Sequence, residues 1–242
     1  MSAPGILQGV KVLSLALNLP GPAAAQRLRR LGAEVIKVEP PSGDPMATYS
    51  RAWYQELHQG VSRRVLDLKE PKDRAAFMRL LEDSDLFLAS SRPSALRRLG
   101  LDTETLEATH LRLCQVLITG YPAPRENEAG HDLTYQASLG LIDPPHLPRS
   151  FVSDLAGAER AVSVALGLLY RRERTGRGGA ETVSLAEATE PLGDPLRHRH
   201  RVRAGDARAP REPRADRAQG VPDGARRAGR PGCDRRHRAL LR

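Results

Sequence analysis

The sequence predicts an α/β fold: a mostly parallel sheet flanked by helices, with a disordered C-terminal tail. Three observations carry this. From residue 9 to about 190, short apolar runs of strand length alternate with longer stretches of helical spacing. Prolines and glycines fall where those stretches start and stop. Near Leu196 the composition changes abruptly to Arg, Ala, Gly, Pro and Asp without any period.

Each element follows in order. Val10, Val12, Leu13 and Leu15 make a buried strand, and Pro20-Gly21-Pro22 breaks it. Ala23 to Leu31 is a helix stopped by Gly32, and Glu34 to Val38 is the next strand, which completes a βαβ unit. Val65 to Leu68 gives a short strand, Pro71 starts a helix through Leu81, and Asp85 to Ala89 is again a strand. Pro93 to Leu99 is a helix ended by Gly100, Leu113 to Thr119 is a strand, and Asp154 caps a helix over 155–170. Trp53, Tyr54 and His58 cover one edge of the core, and Cys114 packs inside its strand. Sites in such sheets lie at the carboxyl ends of the strands, so the loops after Leu17, Val38, Leu68, Ala89 and Thr119 are the candidates.

Charge and composition exclude several classes. The 242 residues carry a net +9, but 15 of the arginines and only 5 acids fall in 195–242, leaving the remainder at −1. The predicted domain, 1–194, is therefore electrically balanced and offers no basic face for nucleic acid. The tail, 195–242, cannot bury enough apolar surface to offset its ordering entropy. With only four lysines in the chain against 34 arginines, a GC-rich gene read out of frame accounts for that tail better than a nucleic-acid arm does. Two distant cysteines, Cys114 and Cys233, argue against a disulfide framework and for a cytoplasmic protein. No apolar run reaches membrane-spanning length, and no secretory leader opens the chain.

The common nucleotide and hydrolase signatures are missing. No G-x-G-x-x-G follows the first strand, and no G-x-x-x-x-G-K-[ST], G-x-S-x-G, C-x-x-C or H-E-x-x-H occurs. His198 and His200 have a spacing that could meet a metal, but flanking arginines oppose it, and no metal site is expected. What remains is Gly130-His131-Asp132, followed by a Pro-broken stretch and then Asp154. An imidazole and a carboxyl group in one cleft can take a proton from one face of a carbon and return it to the other.

Several ordered segments together resemble one family. They are Gly9-Val-Lys-Val-Leu-Ser-Leu, Pro20-Gly21-Pro22, Leu31-Gly-Ala-Glu-Val-Ile-Lys-Val-Glu-Pro-Pro41, Leu66-Asp-Leu-Lys69, Ser91-Arg-Pro93, Gly130-His-Asp132 and Arg172-Glu-Arg-Thr-Gly-Arg-Gly178 leading to Val183-Ser-Leu-Ala-Glu-Ala188. Over about 9–190 the chain resembles the family III CoA-transferases (CaiB/BaiF type), a group that includes α-methylacyl-CoA racemases. The resemblance implies an acyl-CoA substrate, with coenzyme A entering as part of that substrate and no separate cofactor, and an interlocked homodimer. It implies that Leu68, Lys69, Arg92 and Arg98 contact coenzyme A, whose phosphates need cations, and that Tyr135 lies at the thioester.

The resemblance gives Asp154 the catalytic carboxylate. In transferase members that group is a nucleophile forming an aspartyl-CoA thioester; in racemase members it is one of two acid/base groups, the other being the His of Gly-His-Asp. His131 therefore favours α-proton transfer, with Asp132 holding the imidazole in its working tautomer and backbone N–H groups at the start of the 155–170 helix holding the enolate oxygen. Three departures stand against the family pattern: Leu155-Ala-Gly-Ala-Glu159-Arg160 replaces a glycine-rich stretch, Pro144-Pro145 and Pro148 shorten the link from His131 to Asp154, and the family's smaller C-terminal domain is absent. An inactive, truncated coenzyme A-binding remnant is the remaining alternative.

Overall fold

A computed structural model describes residues 5–193. The expectations for the 195–242 tail, with Cys233, His198 and His200, lie outside those residues. Six strands form one parallel sheet: β1 (Lys11–Ser14), β2 (Glu34–Glu39), β3 (Ser62–Val65), β4 (Leu86–Ala89), β5 (Cys114–Thr119) and β6 (Gly179–Ser184), in the spatial order β3-β2-β1-β4-β5-β6. The order reverses between β1 and β4, and that switch point opens a crevice at the carboxyl ends of those strands.

Helices cover both faces because the strands alternate between two apolar clusters. Val12, Leu86, Leu88, Val116 and Ile118 pack with α1 (Pro20–Arg30) and α8 (Val152–Thr175). Leu13, Val38, Phe87 and Ala89 pack on the other side with α4 (Pro71–Glu82), α5 (Pro93–Arg98) and α6 (Thr103–Thr109). Phe77 of α4 meets Phe87 of β4 edge to face at 6.1 Å. Burying each such side chain contributes roughly 1.5–3 kcal/mol.

Two expected boundaries shift. Pro20-Gly21-Pro22 begins α1 rather than breaking the chain ahead of it, since a proline at the first helical position is pre-set for the helix and loses no intrahelical bond. The third strand is Ser62–Val65, not Val65–Leu68. It is a sheet edge whose four residues are exposed, and the Leu66 and Leu68 side chains that suggested a strand pack against the core from the following loop. The remaining helices are short: α2 (Met46–Tyr49), α3 (Arg51–Leu57), α7 (Asp132–Ser138) and α9 (Leu185–Thr189), the last followed by a 3-10 turn. Cys114 is fully buried in β5, and burial pushes its thiol pKa up.

Candidate active site

Two clefts open at the carboxyl ends of the strands and share Ser91, in the loop after β4. The first, of about 320 Å³, runs past β4 and β5 and is lined by Arg92, Gly130, His131 and Tyr135, together with the carboxylates Glu126 and Glu128. The second, of about 210 Å³, is mostly apolar and lies after β1 and β2, between Leu15, Leu17, Pro40, Leu68 and Leu99, with Lys69 at its side. Leu68, Lys69, Arg92, His131 and Tyr135 thus line one or other of two adjoining clefts. Arg98 lines neither; it is exposed in the last turn of α5, whose buried side carries Leu96. Tyr135 is 1% exposed. Its ring packs edge to face on Tyr121 at 5.2 Å and fits only because Gly120 and Gly130 lack side chains: a Cβ at either would lie 2.3–2.4 Å from its hydroxyl.

Asp154 is outside that lining, in the first turn of α8, and the geometry there corrects three expectations. Asp154 is the third residue of its helix, not the cap; the cap position is Phe151, which has no capping side chain. The missing cap comes from α7: Asp132 Oδ1 accepts the N–H groups of Ser153 at 2.8 Å and Asp154 at 3.0 Å. Asp132 Oδ2 accepts from the Gln136 amide, which also donates to the Ser150 carbonyl at 3.1 Å. Asp132 is therefore turned into the protein, 5% exposed, while His131 before it is exposed on the cleft. Its carboxylate is committed to the end of α8 rather than to the imidazole. Those N–H groups are also unavailable to an enolate, since Asp132 takes two and Leu155 N–H bonds the Phe151 carbonyl at 3.0 Å. Burial, and then the negative charge of Asp132, push the Asp154 carboxyl pKa from 3.8 up to about 7.

A second group of functional-looking side chains lies under the β1–α1 loop. Val35, Lys37 and Glu39 share one face of β2, and Lys37, at 1% exposure, is buried there. Its ammonium donates to Asp44 Oδ2, to Glu39 Oε1 at 3.1 Å and to His58 Nε2 at 2.8 Å. His58 Nδ1 meets the Tyr54 carbonyl at 2.6 Å, which fixes the tautomer that leaves Nε2 to accept. Burial and the adjacent Lys37 charge lower the His58 pKa and keep the ring neutral. The ligating atoms of Glu39, Asp44 and His58 lie within 4.8 Å of one another, a donor set a divalent cation would accept. Lys37 Nζ already stands within bonding distance of all three, so the ammonium supplies that positive charge. Asp44 Oδ1 in turn accepts the N–H of Asn18 at 3.0 Å, and Asn18 holds a left-handed backbone, φ 63°, that asparagine tolerates better than most residues. Sequence reasoning missed this cluster. The signal is Lys37 and Glu39 alternating on the face of β2 that also carries the buried Val35.

Among the described residues no helix is long and apolar enough to cross a membrane. The chain matches CoA-transferase family III over residues 7–223. It is 32% identical over 198 residues to the alpha-methylacyl-CoA racemase of Homo sapiens, covering 77% of this chain and 50% of that protein. It is also 32% identical over 206 residues to the succinyl-CoA–D-citramalate CoA-transferase of Chloroflexus aurantiacus, covering 78% and 51%. Among solved structures, a CAIB/BAIF family protein from Brucella suis superposes with a TM-score of 0.73 at 25% identity, over 86% of this chain and 60% of that one. The chain spans about half the length of the curated relatives it matches.

Proposed function

This chain belongs to CoA-transferase family III, and on that premise we propose that it acts on 2-substituted acyl-CoA thioesters, taking the α-proton from one face and returning it to the other. The observation that carries the reading is Asp154: a half-buried carboxyl in the first turn of α8, beside Asp132, whose pKa is pushed up to about 7, can both hold and release a proton at neutral pH, as a general acid-base must. His131, exposed on the cleft and joined through Asp132 to the helix that bears Asp154, is the second group. A general base positioned at the α-proton contributes about 10²–10⁴-fold.

Coenzyme A enters with the substrate. The apolar cleft suits its adenine, Lys69 and Arg92 on either side of Ser91 suit its phosphates, and the larger cleft takes the thioester. A homodimer belongs to the same reading, supported by the family; a solution mass of 26.5 kDa, that of one chain, would remove it.

Equal identity to a CoA-transferase favours a second reading, in which the Asp154 carboxylate attacks the thioester carbonyl and expels the CoA thiolate, giving an aspartyl–acyl mixed anhydride; the thiolate then attacks the aspartyl carbonyl, releasing the acyl carboxylate and forming an aspartyl-CoA thioester, from which an acceptor carboxylate takes CoA by the reverse two steps. Incubation with a 2-methylacyl-CoA in D₂O separates the two. Proton transfer predicts deuterium at the α-carbon and a loss of about 10²–10⁴-fold in His131→Ala. Transfer predicts CoA passing to a free acid, independently of His131, with a hydroxylamine-sensitive adduct on Asp154. A chain that does neither, yet retains coenzyme A, is a binding remnant, and both catalytic readings fall.

A further inference from the structure

The helix α8, 24 residues long, begins without a cap of its own: Phe151 stands at the cap position and offers no oxygen. The oxygen comes from Asp132, the first residue of α7. Because His131 before it is extended, at φ −135°, the two neighbours project in different directions, one into the cleft and one toward α8. Asp132 then binds chain on both sides of Phe151. Its Oδ1 takes the N–H groups of Ser153 and Asp154, and its Oδ2 takes the amide of Gln136, itself tied to the Ser150 carbonyl.

We propose that Asp132 is a positioning residue for Asp154: from α7 it fixes the first turn of α8 and lays a negative charge beside the Asp154 carboxyl. The chemical use of that carboxyl rests on the acyl-CoA reading above; its placement does not. The physical balance is specific. A helix N-terminus by itself favours a carboxylate and would make Asp154 a stronger acid. With Asp132 spending its charge on the N–H groups at that end, the dipole is satisfied and a second negative charge alongside is disfavoured. The groups that act on Asp154 from neighbouring elements are Asp132 and Tyr135 of α7 and Tyr49 of α2. On its own helix Glu159 is paired with Arg27 of α1 at 2.9 Å, and Arg160 is exposed.

The test reads the Asp154 carboxyl directly, by ¹³C NMR titration of the full chain, its resonance assigned by its loss in Asp154→Asn. Asp132→Asn keeps an oxygen for the two N–H groups and removes the charge; the Asp154 titration should move down by about one pH unit or more with α8 intact by circular dichroism. Asp132→Ala, which removes cap and charge together, should add a lower Tm. Should Asp132→Asn fail to fold, Asp132→Ser, which keeps a capping oxygen and removes the charge, takes its place and should move the titration the same way. An Asp154 titration unchanged in the folded variants overturns the proposal. A titration that moves in a protein that exchanges no α-proton overturns the acyl-CoA reading and leaves the positioning role standing.

Discussion

Asp154 makes one residue set stability and chemistry against each other. Its carboxyl has a pKa of about 7 in the folded chain against 3.8 for the free group, so folding favours the protonated form. Between about pH 4 and pH 7 the unfolded chain loses this proton first, stability falls as pH rises, and above pH 7 the cost is constant at a few kcal/mol, on the order of 1.4 per unit. Asp154→Asn removes the cost: its Tm should exceed that of the parent by several degrees at pH 8 and by almost nothing at pH 4, and under the proposed function α-proton exchange should be lost. A thermal scan at the two pH values checks this. The sequence offers an imidazole and a carboxyl as the candidates for the site, since few other groups move protons at neutral pH. Their directions are not legible in it. Adjacent His131 and Asp132 read as a hydrogen-bonded pair, yet a helix starting between them sends one to the cleft and the other to α8. Arg98 has the right chemistry for a phosphate and stands exposed on the side of α5 opposite the buried Leu96, outside the lining of either cleft.

Among the elements, four of the five strands read from the sequence, β1, β2, β4 and β5, stand where the sequence places them, and they are the strands buried on both faces. The sheet edges hid. β3 is Ser-Arg-Arg-Val and fully exposed, and β6 is half polar; edge strands carry charge to discourage pairing with other chains, which erases the pattern that would reveal them. The short helices α2, α3 and α7 are held by tertiary contacts, as Asp132 shows for α7, and not by a periodic apolar face. Helix α1 comes so close to the loop that leads into it that a Cβ at Gly21 would lie 2.1 Å from the Cβ of Ala16. Gly21→Ala should therefore cost about 1–3 kcal/mol despite the better helix propensity of alanine. Urea unfolding measures it; a neutral or stabilising result would mean that α1 can slide.

At the scale of the molecule, the buried ammonium of Lys37 joins β2, the loop after it, α3 and, through Asp44, the turn at Asn18. Lys37→Met leaves Glu39 and Asp44, 6% and 3% exposed, as buried charges without the cation that balances them, and should cost about 3–5 kcal/mol in denaturant unfolding. Zn²⁺ added to the parent protein should leave its Tm unchanged, because the place between the three ligands is filled. The fold class followed from alternation alone, but this network joins residues up to forty positions apart by contacts that no local pattern encodes. The two clefts that share Ser91 have a practical corollary. A fragment screen should return two chemically unrelated families of hits, flat heteroaromatics for the apolar side and polar acyl mimics for the other. Joining one of each across that serine by a linker of the right reach would turn two weak binders into a tight inhibitor with no new contact made.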